Sequence, residues 1–374
     1  MSLSAKPPDL IAQLQGWALE LGFSQIGVAD IDLSHAEQGL RDWLQAGFHG
    51  DMAYMARHGM TRARPAELVP GTVSVVCVRM DYLPPDGDCG WLERESRRLG
   101  QDEQAVVSVY ARGRDYHKVI EDRLFELISW MRTESAESFE AAHFVDKHQV
   151  QERVYAHHAG VGWIGKNSCV INPELGSWMF LSGIAVSLEL EPDAPAVDQC
   201  GSCTLCIDAC PTGALVDARE LDATKCISYL TIETERDIPP DRRAMIGNHA
   251  WGCDICQDVC PWNLGAAVSA DPAWSGPQRD GLSASWLWQQ SDDELHARIK
   301  GSAMTYVPLS RLRRNLATII GNTGDAAVVA ALDRPGRALK NAARSAETPA
   351  VADAIDWARR GCGERRDESD ADER

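Results

Sequence analysis

Eight cysteines between positions 200 and 260 are the residues of this sequence best suited to chemistry. Four of them form a run that ends at a proline, with the spacing Cys200-x2-Cys203-x2-Cys206-x3-Cys210-Pro211. This spacing is typical of bacterial ferredoxins, which hold iron–sulfur clusters through cysteine thiolates. A shorter run follows, Cys253-x2-Cys256-x3-Cys260-Pro261, and Cys226 between the runs completes the eight. Two 4Fe–4S clusters require eight thiolates, so the sequence predicts two such clusters.

The cysteine that precedes proline ligates the other cluster in two-cluster ferredoxins, so each run contributes to both sites. One predicted ligand set is Cys200, Cys203, Cys206 and Cys260. The other is Cys210, Cys253, Cys256 and, by elimination, Cys226. Tetrahedral zinc sites built from CxxC pairs are the alternative. Zinc explains neither the third cysteine of the tight run nor the two Cys-Pro steps, so iron–sulfur is favoured. Two adjacent clusters conduct single electrons but do not identify a substrate.

Composition places this chemistry in a folded, acidic protein. The chain has 374 residues, 44% of them hydrophobic, and a formal net charge of −18. Such a charge argues against a generic nucleic-acid binder, so a polyanion would need a local basic surface. No apolar run is long enough for a membrane helix and no secretory signal is visible, so we expect a cytoplasmic protein. The remaining cysteines are read as ordinary thiols: Cys77, Cys89, Cys169 and Cys362.

The elements that must position this chemistry come before and after the cysteines. Apolar spacing predicts helices over 9–22 and 115–133, and short apolar runs predict buried strands over 25–29, 73–78 and 180–188. The first 190 residues are therefore mixed α/β. We predict an α+β multidomain protein with boundaries at 1–190, 191–285 for the two-cluster ferredoxin-like domain, 286–360 for a helical domain, and 361–374 for a charged, disordered tail.

The helical domain contains a weak repeat. The segment 311–317 is echoed by 337–343, and Ala/Val-rich helices are predicted after each, over 325–332 and 349–358. This pattern indicates HEAT-like repeats, too few to stand alone. Residues 301–345 hold seven Lys/Arg and two Asp/Glu, a local charge of +5 in an acidic chain. A solvated helix face is the alternative to a binding surface.

Several stretches resemble one known family. They are His49-Gly50-Asp51-Met52, Arg62-Ala63-Arg64-Pro65, Tyr110 to Lys118, Gly160 to Asn167 with its GWIGKN sequence, CISYLTIE from Cys226, and Ile246-Gly247-Asn248 leading into Cys253. Together they are similar to epoxyqueuosine reductase over roughly residues 10–265. The resemblance implies a cobalamin-dependent enzyme with two 4Fe–4S clusters that reduces epoxyqueuosine at the tRNA wobble position to queuosine. It also implies a cobalamin-binding α/β domain, a ferredoxin domain and HEAT-like helices.

The resemblance assigns a proton donor. Removal of an epoxide oxygen takes two electrons and two protons, and in this family a carboxylic acid that corresponds to Asp146 protonates the oxygen. A free aspartic acid has a pKa near 3.9, so we expect desolvation to keep Asp146 protonated near neutral pH. The family commonly has Asp-x-x-Pro before a glutamate here. This chain has no such proline between Asp146 and Glu152, which leaves the loop less constrained.

The resemblance also suggests contacts to the other partners. No histidine can be assigned as a lower cobalt ligand, and His117 is read as a pocket or packing residue. The predicted cobalamin contacts are Arg64, Tyr116, Lys166, Ser228 and Asp254, together with Asp146. The predicted tRNA contacts are Arg311, Arg313, Arg314, Arg337 and Lys340, with Arg57 and Arg62 near the pocket. We expect a monomer that receives electrons from a flavodoxin- or ferredoxin-type donor.

Two other functions stay open at this point. The first is a cobalamin enzyme like the reductive dehalogenases, which acts on a small molecule. Those enzymes usually carry export signals, and no such signal is visible in this sequence. The basic repeat also argues against this alternative. The second is a non-catalytic electron-transfer protein of the ferredoxin type, which would not bind a corrinoid.

Overall fold

The computed structural model describes residues 9–57, 59–84, 90–135, 137–277, 279–334 and 348–372, with side chains to residue 361. Its helices are α1 Asp9–Glu20, α2 Ser34–Gln45, α3 Ala53–Arg57, α4 Pro65–Leu68, α5 Trp91–Leu99, α6 Tyr116–Glu134, α7 Glu152–His158, α8 Leu205–Asp208, α9 Ile227–Ile232, α10 Pro240–Ile246, α11 Ile255–Asp258, α12 Ala284–Gln289, α13 Asp292–Ile299, α14 Leu309–Asn322, α15 Ala326–Val329 and α16 Pro349–Asp372. Its strands are β1 Gln25–Ala29, β2 Ser74–Asp81, β3 Gln104–Val107, β4 Ala141–Val145, β5 Trp163–Ile164, β6 Val170–Ile171, β7 Met179–Val186, β8 Leu215–Asp217, β9 Glu220–Leu221, β10 His249–Trp251 and β11 Leu282–Ser283.

A four-stranded sheet forms the centre of the N-terminal part, with the strand order β1-β2-β7-β4. Every pair in it is antiparallel, and Val78 of β2 lies between Ile26 and Ser182. All eight residues of β2 are buried, because α1 and α6 pack on one side of the sheet and α7 on the other. The three predicted strands are confirmed. A strand covered on both faces reads as a continuous apolar run even in an antiparallel sheet.

Helix α6 carries the residues that later form the site. Asp115 caps it by accepting the backbone N–H of His117 at 3.2 Å, which satisfies a free donor of the first turn. Ile120, Leu124 and Leu127 recur at helical spacing and are fully buried against the sheet. This helix matches the prediction over 115–133, and its rigid attachment to the core fixes the position of its first turn.

A second sheet joins distant parts of the chain. Strand β3 pairs in parallel with β10 of the cysteine-rich segment and antiparallel with β11. The side chains of Val107 and Trp251 share one core with Leu316 of α14. The predicted boundaries at residues 190 and 285 are untested as domain limits. The packing nevertheless crosses both of them, so the N-terminal and cysteine-rich parts are held in a fixed relation.

The C-terminal part consists of helices, as predicted. Helix α14 packs against α12 and α16. The first Ala/Val segment forms the short helix α15 and a following 3-10 turn, whereas the echo over 337–343 lies outside the described residues. The HEAT-like repeat therefore stays a prediction. The backbone of α16 continues as a helix to Asp372. The predicted disorder of the tail over 361–374 stays a prediction. Within the described parts of the chain, every helix is too short or too polar to cross a membrane.

Candidate functional site

Asp146 is the first residue after β4, and its backbone is strained. Its φ is +38°, a left-handed conformation that non-glycine residues rarely adopt. Its carboxylate Oδ2 accepts a hydrogen bond from the hydroxyl of Tyr116 and lies 3.3 Å from Nε2 of His117. The Tyr116 ring is itself stacked on Phe180, with 4.4 Å between ring centroids. Strand β4 and helix α6 therefore aim three polar side chains at one point.

His117 links Asp146 to a second carboxylate. Its Nδ1 lies 2.9 Å from Oδ1 of Asp115, and the other oxygen of Asp115 accepts a hydrogen bond of 3.2 Å from the hydroxyl of Tyr306. Burial opposes a charge on the imidazole, but the two carboxylates prevail and raise the pKa of His117. Asp115, His117 and Asp146 thus form a row of polar contacts that begins at the buried Asp115 and ends at the exposed Asp146. Such a row can hold a proton and pass it on. The sequence had indicated His117 only as a packing or pocket residue.

The expectation that desolvation keeps Asp146 protonated is wrong for this structure. Burial by the surrounding protein raises the pKa, but hydrogen bonds from His117 and Tyr116 outweigh it and hold the pKa of Asp146 below its usual range. A carboxylate that accepts several hydrogen bonds favours its charged form. Asp146 is therefore ionised at neutral pH in this arrangement. An ionised carboxylate must receive a proton before it can deliver one, and the neighbouring His117 has a raised pKa.

An open cleft surrounds Asp146. Its side chain is 63% exposed, yet its charge adds to the effect of burial in raising the pKa of Tyr54, Tyr110 and Glu233, which come from separate segments of the chain. An exposed group with protein on several sides lies at the floor of a concavity. Glu152, at the start of α7, also faces Asp146, and burial raises its pKa to about 8. The cleft thus holds an acid that keeps its proton at neutral pH.

The first predicted cluster set is brought together from the loop that precedes α8, from α8 itself and from the segment just beyond α11, which carries Cys260. Burial, together with the neighbouring Cys200 and Cys206, raises the pKa of Cys260 to about 11. Cys206 in turn interacts with Cys200 and Cys203. The indole N–H of Trp163 lies 3.4 Å from Sγ of Cys200. Crowded thiols with raised pKa values lose their protons when a metal centre offsets their charge, so this donor set fits a cluster.

The second predicted set is also brought together. Cys226 interacts with Cys210, and burial is the main cause of its raised pKa. Burial likewise raises the pKa of Cys253, with Cys226 as a further contributor. Cys256 lies against Cys226 and Cys253, but also hydrogen-bonds to Cys169. Cys169 is therefore a ninth cysteine beside this set, which sequence reasoning had treated as an ordinary thiol.

The cysteine-rich part is docked onto the N-terminal part by backbone contacts. The Tyr229 hydroxyl accepts a 2.7 Å hydrogen bond from the backbone N–H of Asp51. Gly50 beside it has a φ of +55°, and a Cβ there would lie 2.3 Å from that hydroxyl oxygen, so only glycine fits. This contact places α9, which follows Cys226, next to the segment 49–54 that borders the cleft.

The predicted cobalamin contacts fall into different places. Tyr116 points at Asp146, and Ser228 lies half-buried in α9. Lys166 instead donates to the carbonyls of Gly201 and Cys203, at 2.7 and 2.9 Å. In this arrangement the ammonium satisfies the backbone of the first cluster loop, and its contact with cobalamin stays a prediction.

Arg64 and Asp254 are also engaged elsewhere. Arg64 is exposed and pairs with Glu37 and Glu67, at 2.7 and 3.0 Å. Buried Asp254 accepts the backbone N–H of Val109 at 2.8 Å and the hydroxyl of Ser108, so it anchors the cysteine-rich part to the segment after β3. Both side chains have these protein partners in the structure, and their contacts with cobalamin stay predictions.

The predicted tRNA contacts on α14 are wrong for two residues. Arg313 and Arg314 are 0% and 2% exposed. Arg313 donates to the carbonyls of Trp288 and Gln290, and Arg314 to those of Leu230, Thr234 and Arg236. These guanidinium groups tie the helix to its neighbours, because buried carbonyls without partners are costly.

The other predicted tRNA contacts differ in their surroundings. Arg311 is mostly buried and donates to the Ile232 carbonyl and to Glu235, so it is no free phosphate contact either. Arg337 and Lys340 lie outside the described residues. Arg62 is buried in the cleft wall, whereas Arg57 is exposed.

Comparisons with known proteins agree with this geometry. Residues 62–147 match a family model described as epoxyqueuosine reductase QueG, DUF1730, and residues 199–263 match a 4Fe–4S double cluster binding domain. The epoxyqueuosine reductase of Pseudomonas aeruginosa is 43% identical, over 97% of this chain and 98% of its own. That of Alicycliphilus denitrificans is 46% identical, over 84% of this chain and 87% of its own.

Solved structures give the same result. A crystal structure of epoxyqueuosine reductase with an epoxyqueuosine-modified tRNA-Tyr stem loop superposes with a TM-score of 0.82, at 26% identity, over 95% of this chain and 90% of that chain. A structure from Bacillus subtilis, with its catalytic loop swung out of the active site, has a TM-score of 0.79, at 26% identity, over 94% of this chain and 89% of that chain.

Proposed function

The chain belongs to the epoxyqueuosine reductase family, and from this membership we propose that it reduces epoxyqueuosine in tRNA to queuosine. The observation that carries the proposal is the 43% identity to a relative of that name over nearly the whole of both chains. The reaction removes the epoxide oxygen as water and needs two electrons and two protons. The chain therefore has to supply an electron path, a proton path and a site for the modified base.

The electron path is the pair of 4Fe–4S clusters, for which residues 199–263 match a double-cluster domain. We assign one cluster to Cys200, Cys203, Cys206 and Cys260, and the other to Cys210, Cys226, Cys253 and Cys256. The second set is the nearer to the cleft, because Cys226 immediately precedes α9, whose far end is followed by Glu233. A flavodoxin- or ferredoxin-type donor would deliver electrons at the first set, where Cys203 is exposed.

Cobalamin is the cofactor that we assign to the cleft. When bound, it supplies a strongly nucleophilic reduced cobalt centre, chemistry that no side chain offers. Three buried polar atoms in the cleft wall have no hydrogen-bond partner within the described part of the chain: Arg62 Nε, Gln151 Nε2 and Glu152 Oε1. Corrin amides carry both donors and acceptors, so they suit these groups. Tyr54, Tyr116 and Ser228 complete the wall that would hold the cofactor.

The proton path runs through Asp146. Its carboxylate is exposed to the cleft, where the epoxide oxygen would lie, and its other contacts are Tyr116 and His117. We propose that the His117 imidazolium passes a proton to Asp146, which delivers it to the oxygen. Asp115 keeps the imidazole oriented and charged. A positioned acid of this kind contributes roughly 10²–10⁴ in rate.

The tRNA would bind at the mouth of the cleft. The net charge of −18 opposes this, so affinity depends on local cations. Arg57 on α3 and the 83% exposed Arg236 lie on segments that border the cleft, next to Tyr54 and Glu233 respectively. The C-terminal helices, which we infer to be HEAT-like, would add contacts farther along the stem loop.

The direct test is an anaerobic incubation of the cluster-loaded protein with epoxyqueuosine-containing tRNA, cobalamin and a strong reductant. Nucleoside mass analysis should show queuosine appearing as epoxyqueuosine disappears. Omission of cobalamin is the control, and it should abolish the conversion. Conversion without cobalamin would contradict the cofactor, and no conversion in the complete mixture would contradict the function.

A further inference from the structure

We propose that Glu121, His143 and His148 form a binding site for a divalent transition-metal ion, of which zinc is the best fit. One ligand atom from each residue lies within 4.8 Å of the other two. All three residues are half-buried, so the site is open to solvent but partly shielded from it. Neither the two clusters nor the cobalamin cleft uses these side chains.

The three ligands come from three elements. Glu121 lies on α6 and His143 on β4, both fixed in the core of the N-terminal part. His148 lies in the loop that begins at Asp146. A tetrahedral zinc site, whose bonds are about 2.0–2.2 Å long, would draw the three atoms closer together than they lie here. His148 is the ligand that lies in a loop rather than on a helix or strand, so we expect it to make most of that movement.

The ligand chemistry favours zinc over harder cations. Two imidazoles and one carboxylate suit zinc, whereas calcium and magnesium prefer oxygen ligands alone. Three protein ligands leave a fourth position for water.

The surroundings of His148 fit a ligand. Its Nδ1 lies 3.1 Å from the backbone N and 3.2 Å from the backbone O of Val145. Nδ1 accepts from the N–H in one tautomer and donates to the carbonyl in the other. The second tautomer leaves the Nε2 lone pair free for the metal, with the backbone carbonyl orienting the ring as in most metal–histidine sites.

One charge opposes the ion. The ammonium of Lys147 lies 2.6 Å from Oε1 of Glu121 and neutralises it in the arrangement seen here. Lys147 is 45% exposed, so it can turn into solvent and give up its place to the metal. The ion and Lys147 are therefore alternative partners of the Glu121 carboxylate, and they would compete for it.

The consequence for the Asp146 loop depends on the proposed function. The metal would join His148, which follows Asp146 in the chain, to β4 and α6, which both precede Asp146. This would hold residues 146–148 against the core and keep Asp146 beside His117. Zinc occupancy would thus stabilise the arrangement in which Asp146 faces the cleft.

The test is a calorimetric titration of zinc chloride into the untagged, cluster-loaded protein under anaerobic conditions, with neither cobalamin nor tRNA. We expect one zinc ion per chain and unchanged cluster absorption. His143→Gln and Glu121→Gln should each weaken binding at least tenfold, while circular dichroism and iron content stay unchanged. The matched control is His158→Gln, because His158 and His35 form a close histidine pair elsewhere, with 3.3 Å between Nε2 atoms.

Unchanged affinity in both His143→Gln and Glu121→Gln overturns the proposal. So does loss of binding in His158→Gln alone, or zinc uptake by the wild type only with loss of cluster absorption. The titration measures zinc binding and not turnover, so none of these results tests the proposed reductase activity. Likewise, a protein that fails to reduce epoxyqueuosine could still bind zinc in this titration.

Discussion

The Nε2 atom of His117 lies 3.3 Å from Oδ2 of Asp146, and this contact joins an ionised carboxylate in the cleft to a buried imidazole. The pKa of the carboxylate is lowered and the pKa of the imidazole is raised by the same interaction. In the mechanism that we propose, Asp146 therefore does not store the proton that the epoxide oxygen needs. His117 stores that proton and Asp146 transfers it.

This relationship predicts the pH dependence of the reaction. Because the pKa of His117 is raised above its ordinary value of about 6.5, single-turnover conversion should be fastest below that raised pKa and slow as the pH increases through it. His117→Gln keeps a hydrogen-bond donor but cannot store a proton. It should be slower at neutral pH, by about tenfold or more, and should lose this alkaline decline.

The measurement is conversion of epoxyqueuosine tRNA by fully reduced, cobalamin-loaded protein between pH 6 and 9. His296→Gln, which changes an exposed histidine on α13, is the control and should keep the wild-type profile. An unchanged alkaline decline in His117→Gln would assign the titration to another group.

Asp146→Asn should abolish proton delivery while it keeps the shape of the side chain. We expect turnover to fall by about two orders of magnitude or more, with cluster content, cobalamin binding and tRNA binding unchanged. Single-turnover conversion measures the first effect, and iron analysis and spectral titration measure the others. Asp42→Asn, at an exposed position of α2, is the control. Near-wild-type conversion by Asp146→Asn would place the proton source elsewhere, with Glu152 as the next candidate.

The cysteine assignments predict iron content. Anaerobically prepared protein should hold about eight iron and eight sulfide per chain. Cys226→Ala should lose about half of both, because its thiol completes the second set. Cys169→Ala is the matched control, since Cys169 also lies against Cys256 but is not assigned as a ligand. The opposite result, with iron lost only from Cys169→Ala, would make Cys169 the fourth ligand.

The raised pKa of Glu152 predicts that the stability of the protein depends on pH. The folded protein keeps its proton up to a pKa of about 8, whereas the unfolded chain loses it near 4.5. Unfolding therefore releases a proton between these values, and the contribution of Glu152 to stability is lost as the pH rises from about 4.5 to 8.

Glu152→Gln should match the wild type at pH 5 and exceed its free energy of unfolding at pH 9 by about 4 kcal/mol, because each unit of the pKa difference is worth about 1.36 kcal/mol. Apparent Tm values at a fixed scan rate measure this difference. Equal stability of the two proteins at pH 9 would show that Glu152 ionises without cost in the folded state.

Arg314 should be essential for stability rather than for tRNA binding. Its guanidinium is buried and donates to three backbone carbonyls, so Arg314→Leu leaves these acceptors unpaired and should cost about 3–5 kcal/mol. Arg359→Leu is the control, because Arg359 forms an exposed ion pair with Asp333 and should cost less than about 1 kcal/mol. Thermal unfolding compares the two, and equal losses would contradict the structural role.

The sequence by itself determined the parts of this protein that depend on local spacing. The cysteine intervals set the cluster type, because a short loop places its thiolates around one centre in any fold. Apolar periodicity located α6, because its buried face recurs at the helical period. Continuous apolar runs located β1, β2 and β7, because that sheet is covered on both faces. The family resemblance pointed to Asp146, but the residues around it contained no indication of its protonation state.

Only the tertiary structure decided which charges are buried and which side chains meet. Arg313 and Arg314 look like a basic surface in the sequence, yet α14 turns them inward to carbonyls from distant segments. Glu121, His143 and His148 lie on three elements and converge only when β4 packs on α6. A pKa or a ligand set depends on neighbours within a few ångströms in space, and the chain folds those neighbours together from positions that sequence spacing does not relate.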